Sequence, residues 1–139
     1  MKQCDIMKIS EEEVAFVSEQ ESLEKGVSFI RDNSDIKILF VTLGNKGSIA
    51  YYKDEKIYCG GIHQEHVVDT TGAGDTFCAC VLHYILAHGL NNLTENDLKE
   101  MLTFANAAAS IVVTRKGALC SMPEPEEIRA ASSLIDKVL

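Results

Sequence analysis

The amino-acid sequence predicts an α/β sandwich, and three observations lead there. Strand-like apolar runs alternate with helical patterns along the chain. Residues 36–43, IKILFVTL, form a nearly continuous β-branched and apolar run, the pattern of a strand covered on both faces. A glycine–threonine loop at 70–74 leads straight into a long apolar helical segment.

The elements follow in order. Asp5 to Lys8 reads as the end of a short strand. Ser10 caps a helix starting at Glu11, with Glu13 three residues on to complete a capping box. A helix spans Glu21 to Asn33, with Leu23, Val27, Phe29 and Ile30 on its buried side. The central strand follows, then a turn at Gly44-Asn45-Lys46-Gly47. Ser48 to Tyr52 and Lys56 to Cys59 read as two short strands joined by the charged turn Lys53-Asp54-Glu55. Tyr51, Tyr52 and Tyr58 fit strand packing. Val67 and Val68 end another extended stretch. Asp75 to His88 is a mostly buried helix closed by Gly89. Thr94 to Val113 is a second long helix, rich in alanine at its middle; small residues there admit a close backbone neighbour or a flat ligand. A last helix runs from about Pro125 to Val138.

A chain of 139 residues suits one domain, residues 1–139, with a real core. Hydrophobic residues at 46% and charged residues at 24% are the balance of a soluble globular protein. The net charge of −8 argues against nucleic acid and anionic membrane as partners, since both select a basic face. No apolar run is long enough for a membrane span, and the first ten residues lack a signal-peptide core. The cysteines Cys4, Cys59, Cys78, Cys80 and Cys120 are odd in number and contain no C-x-x-C pair. They read as reduced, buried thiols of a cytoplasmic protein. His63, His66, His83 and His88 have no convincing metal spacing. Glu11 to Glu13 and Glu124 to Glu127 read as solvated helix starts favoured by the helix dipole.

The segment richest in chemistry is Asp69-Thr70-Thr71-Gly72-Ala73-Gly74-Asp75-Thr76-Phe77. Gly72 and Gly74 let the backbone turn tightly with N–H groups pointing inward. Those donors and the positive end of the following helix suit anionic oxygens, including a phosphoryl group in transit. Asp75 sits in this cradle. A free alcohol is too weak an acid to give its proton to a carboxylate beforehand. Proton transfer to Asp75 must therefore accompany attack on phosphorus, and position matters more than basicity.

This segment, D-T-T-G-A-G-D-T-F, resembles the signature of the ribokinase and fructokinase (PfkB-type) carbohydrate kinases, whose last Asp is the general base. The resemblance implies a three-layer α/β/α sandwich with a mostly parallel central sheet. It also implies transfer of the γ-phosphoryl of ATP to a sugar hydroxyl with Mg²⁺. Asp75 would be the base, and Gly72, Ala73 and Gly74 the anion hole. Thr42, Gly44 and Gly47 resemble the family's T-L-G-x-x-G segment against the nucleotide, although a glycine turn after a strand is also a plain structural feature. Phe104 to Ala109 resembles the helix beside adenine, with Asn106 at the contacting position or, alternatively, in helix packing. Thr114 to Ala118 resembles the T-R-x-G-A turn. By that likeness Asp69, Thr71, Ser121 and the carbonyls of Val112 and Gly117 would hold a monovalent cation such as K⁺, all through oxygen. Asp69 equally suits capping a turn. Glu13 falls at the acidic position of N-x-x-E that supports Mg²⁺ through water. Ser10 stands where Asn is usual, so capping is its competing role.

The likeness covers nearly the whole chain but only about the second half of the family pattern. The N-terminal half and the lid over the sugar are expected to be absent. An open strand edge then predicts self-association or a partner supplying the first half, and negligible turnover by this chain alone. The K-I-S-E-E-E and G-A-L-C-S-M-P segments look closer to fructokinases than to ribokinases. A non-catalytic nucleotide-binding or assembly fragment is the competing reading, as is a kinase for another sugar or nucleoside. A dinucleotide-binding oxidoreductase requires a third glycine after Gly72 and Gly74, which Thr76 and Phe77 do not supply.

Overall fold

The computed structural model describes residues 4–135. The predicted end of the last helix at Val138 lies outside them. Four strands form one sheet in the order β1-β2-β3-β4: β1 at Ile6–Ser10, β2 at Ile38–Thr42, β3 at Ser48–Tyr52 and β4 at Glu55–Cys59. The expected parallel pairing joins β1 to β2. The other two pairings are antiparallel, because β2, β3 and β4 are linked by turns too short for a crossover. The described sheet is therefore mixed rather than mostly parallel.

Among the described residues there are five α-helices, four of them on this sheet: α1 at Glu11–Ser18, α2 at Leu23–Asp32, α3 at Ala73–His88 and α4 at Glu95–Val112, with α5 at Pro125–Ile135 outside them. The alternation of β2 decides the layers. Leu39 and Val41 join Ile9, Val14, Val27 and Ile30 under α1 and α2. Ile38 and Phe40 join Phe77, Val81, Leu98, Met101 and Leu102 under α3 and α4. All four apolar residues of β2 are buried, as a strand with both faces covered requires. Phe40 and Phe77 meet edge to face with centroids 6.2 Å apart, fixing the first turns of α3 over the sheet. α5 packs outside α4, where Ile128 lies on Ala107 and Ala108. The small residues of α4 thus admit a neighbouring helix.

The helix starts follow local chemistry. Ser10 Oγ accepts the Glu13 N–H at 3.1 Å, and Glu13 Oε2 accepts the Ser10 N–H at 2.7 Å. Thr94 and Asp97 repeat this reciprocal pair at α4.

Several side chains depart from the sequence reading. Phe29 is 40% exposed, because Val27 and Ile30 fill the buried side of α2. α3 buries a single stripe, Phe77, Val81 and Ile85, and leaves Leu86 at the surface. Tyr58 is exposed on the edge strand, its hydroxyl donating to the Lys46 carbonyl at 2.7 Å. The five thiols are unpaired, yet only Cys59 is buried and Cys120 is exposed. Val67 and Val68 lie in no ladder; the Val68 N–H donates to the Val113 carbonyl at 2.8 Å. Glu127 is not merely solvated, since it pairs with Arg115. Among the described residues, no helix is long and apolar enough to cross a membrane.

Candidate functional site

The carboxyl ends of β1 and β2 open toward the start of α3, the place where α/β sheets present ligand crevices. The loop before α3 is tied down first. Asp69 Oδ1 accepts the Thr71 N–H at 2.9 Å, and Oδ2 accepts the Gly117 N–H at 3.3 Å. Asp69 therefore both caps its own turn and binds the loop to the segment after α4. Gly72 then turns with φ +86°, and a Cβ there would sit 3.0 Å from Ala118 Cα. Glycine satisfies the left-handed backbone and the close approach together.

The loop leaves a set of donors at the mouth of α3. Ala73 N–H reaches the Thr70 carbonyl at 3.3 Å, and Thr76 N–H reaches the Gly72 carbonyl at 2.8 Å. The N–H groups of Gly72, Gly74 and Asp75 have no acceptor among the described residues. Asp75 stands on the first turn of α3 with its side chain exposed. This cluster of donors at a helix start is chemically suited to an oxyanion.

Beside the loop lies a cleft of about 350 Å³. Its walls come from four separate segments: the β2–β3 turn with Gly44, Asn45 and Gly47; the exit of β4 with Gly61 to Gln64; the loop with Val67, Thr70 and Ala73; and α4 with Asn106, Ala109, Ser110 and Val113. Of the residues singled out in the sequence, Gly44, Gly47, Ala73 and Asn106 line it. Gly72, Gly74 and Asp75 follow on the same loop and helix without lining it. Thr42 stands behind the turn, paired with Ser48.

Asn106 is buried and its hydrogen bonds are engaged. Oδ1 accepts from Ser48 Oγ at 2.9 Å, and Nδ2 donates to the carbonyls of Cys59 and Gly60 at 3.1 and 3.2 Å. It ties α4 to the start of β3 and the exit of β4, and so holds two walls of the cleft. Asn106→Ala removes three hydrogen bonds and leaves the buried Ser48 hydroxyl without its partner. A loss of about 2–4 kcal/mol is expected, read as a lower urea midpoint at unchanged slope.

The other singled-out residues form two groups. Ser121 is buried, with Oγ donating to the carbonyls of Gly117 and Ala118, while the Val112 carbonyl accepts the Arg115 N–H at 3.0 Å. Asp69, Gly117 and Ser121 thus belong to one hydrogen-bonded cluster. Glu13 is exposed on the first turn of α1, just after β1. The Ser10 backbone N–H lowers its carboxyl below the ordinary value, and the cap engages Oε2. Among the described residues, no group of three or more His, Cys, Asp or Glu is placed to hold a metal ion.

Hydrogen bonds from Thr71, then from Gly117, lower the Asp69 carboxyl below its ordinary value. A depressed folded-state carboxyl stabilises the fold above its unfolded pKa and loses that contribution as pH falls through the folded value. Acid unfolding of Asp69→Asn should therefore lack part of the pH dependence seen in the parent below about pH 4. Superimposable acid-unfolding curves would remove Asp69 from the stabilising contacts.

Sequence reasoning missed Ile62, His63, Gln64, Ser110 and Val113. For the last two a signal existed. Asn106, Ala109, Ser110 and Val113 recur at i, i+3, i+4 and i+7, one face of a helix. Residues 62–64 belong to an irregular segment with no periodicity to read.

The layered α/β fold, with a donor-lined glycine loop at the start of α3 beside a multi-walled cleft, defines the class: a layered α/β protein whose helix start at the strand ends is chemically suited to an oxyanion. The family description "pfkB family carbohydrate kinase" matches residues 1–125, and the chain belongs to that family. It is 35% identical over 136 residues to probable fructokinase-3 of Arabidopsis thaliana, covering 96% of this chain and 38% of that relative. The chain thus spans about two fifths of the length of the curated relatives it matches. Among solved structures it resembles fructokinase from Vibrio cholerae O395 bound to fructose, ADP and calcium, with TM-score 0.81 and 29% identity over 91% of this chain and 40% of that one. Ribokinase of Arabidopsis thaliana complexed with ribose and ATP matches with TM-score 0.74 and 32% identity, over 92% of this chain and 40% of that one.

Proposed function

We propose that this chain is the nucleotide-binding and catalytic part of an ATP-dependent sugar kinase, with fructose the first substrate class. The observation that carries this reading is the convergence of four distant segments on one cleft that leads to the donor-lined loop and Asp75. In this reading the cleft takes the nucleotide, with Gly44, Gly47 and Asn106 among its walls and Thr42 supporting the turn. Gly72, Ala73 and Gly74 face the phosphoryl group. Asp75 accepts the proton of the attacking sugar hydroxyl while the phosphorus–oxygen bond to ADP breaks. Glu13 supports Mg²⁺ through water. Asp69, Thr71, Ser121 and the carbonyls of Val112 and Gly117 hold K⁺. Fructose is favoured because the relatives include fructokinases. A cytoplasmic location fits five unpaired thiols.

Calorimetry of Mg·ATP binding tests the reading directly. Binding is expected for the chain and for Asp75→Asn alike, since Asp75 acts on the acceptor. Absence of binding by both would sink it. The assembly-fragment reading draws on the edge position of β1. In it, the chain self-associates or pairs with a partner and shows negligible turnover alone. A monodisperse monomer in solution sizing would count against that reading.

A further inference from the structure

One charged side chain at this site has no assigned role. Lys8 lies on β1, opposite Phe40 in the register. Its neighbour Ile9 is buried under α1 and α2. Successive strand residues point to opposite faces, so Lys8 points to the side of α3 and α4. It reaches far across that face: a Cβ built on Gly74 would stand 3.0 Å from Lys8 Nζ and 3.6 Å from its Cε. The ammonium therefore rests against the second residue of α3.

That placement is electrostatically costly by itself. The start of a helix carries a partial positive charge, and the N–H groups of Gly72, Gly74 and Asp75 have no acceptor among the described residues. A cation at that end adds to the same field. Lys8 forms no ion pair and no side-chain hydrogen bond among the described residues, and Glu13, which it influences through space, is engaged by Ser10 N–H. Three backbone donors without an acceptor and one ammonium without a partner among the described residues thus lie at the start of α3, brought there by two different elements. An anionic ligand bearing several oxygens resolves the conflict, because it accepts from both the donors and the cation.

We propose that Lys8 is a phosphate-binding residue that clamps the terminal phosphate of the nucleotide against the Gly72–Asp75 loop. The inference rests on the nucleotide-site reading and adds a residue from a different strand. Lys8 makes and breaks no covalent bond. It supplies a full positive charge to non-bridging oxygens, which the neutral N–H groups cannot. Gly74 leaves the ammonium uncrowded, since a Cβ there would stand 3.0 Å from Lys8 Nζ.

The test compares Mg·ATP with AMP by calorimetry on the full chain. Lys8→Met should weaken Mg·ATP binding by about tenfold or more and leave AMP within about twofold, as expected for loss of one charge-assisted contact. Lys8→Arg should recover part of the loss. Unchanged Mg·ATP affinity in Lys8→Met would overturn the role of Lys8 and leave the nucleotide site standing. Equal losses for ATP and AMP in Lys8→Met would overturn the phosphate clamp. A parent chain that binds neither nucleotide would overturn both the site and the clamp.

Discussion

Asp75→Asn is expected to lower phosphoryl transfer by roughly 10²–10⁴-fold wherever this segment supports turnover, alone, self-associated or joined to the rest of a kinase fold. Two opposite effects follow from one placement. The side chain is exposed on the first turn of α3, away from the cleft walls, so nucleotide affinity should change little. Stability should fall by less than about 1 kcal/mol, the usual scale for one carboxylate at a helix start. The substitution keeps size and one acceptor oxygen and removes only the capacity to take a proton. Turnover with sugar acceptor, measured beside nucleotide binding and thermal midpoint, checks all three at once. A variant that retains turnover within about tenfold would dismiss Asp75 as the base, because general-base catalysis contributes more than that.

The contrast between Asp75 and Asn106 shows what a sequence makes legible. The D-T-T-G-A-G-D run carries its meaning locally: the turn, the helix start and the carboxylate lie within a few residues, and the backbone follows from glycine placement. The capping boxes at Ser10 and Thr94 are local in the same sense. The two-sided burial of β2 was equally readable from an unbroken apolar run. Asn106 is different. Its hydrogen bonds go to Ser48, Cys59 and Gly60, residues more than forty positions away, and no local pattern specifies them. Lys8 was hidden for the same reason, since its contact with Gly74 crosses from a strand to a distant helix. The exposure of Leu86 and Phe29 was missed because an apolar side chain does not reveal which face of its helix has a neighbour. Local chemistry is written in the sequence, and the pairing of distant surfaces is not.

Gly47 shows how far a long-range pairing can constrain one position. It closes the β2–β3 turn at φ +105° and ψ −138°, a region that glycine alone occupies readily. A Cβ there would stand 2.1 Å from the Cys59 carbonyl oxygen, 2.5 Å from Gly61 N and 2.6 Å from Gly60 C. These are backbone atoms of the neighbouring segment and cannot rotate away. Gly47→Ala therefore meets a conformational cost of about 1–3 kcal/mol and a steric one besides, and a total loss of about 3 kcal/mol or more is expected. Gly44 in the same turn provides the internal comparison. Its φ is +58°, and nothing lies within 4 Å of the added Cβ, so Gly44→Ala should cost only about 1–2 kcal/mol. Urea unfolding of the two variants side by side separates backbone conformation from contact, and equal midpoints would disprove the close approach. The clash also has a functional side. Relieving it moves the β4 exit, which carries Gly61 to Gln64 along one wall of the cleft. Gly47→Ala should thus weaken nucleotide binding even under conditions where it remains folded.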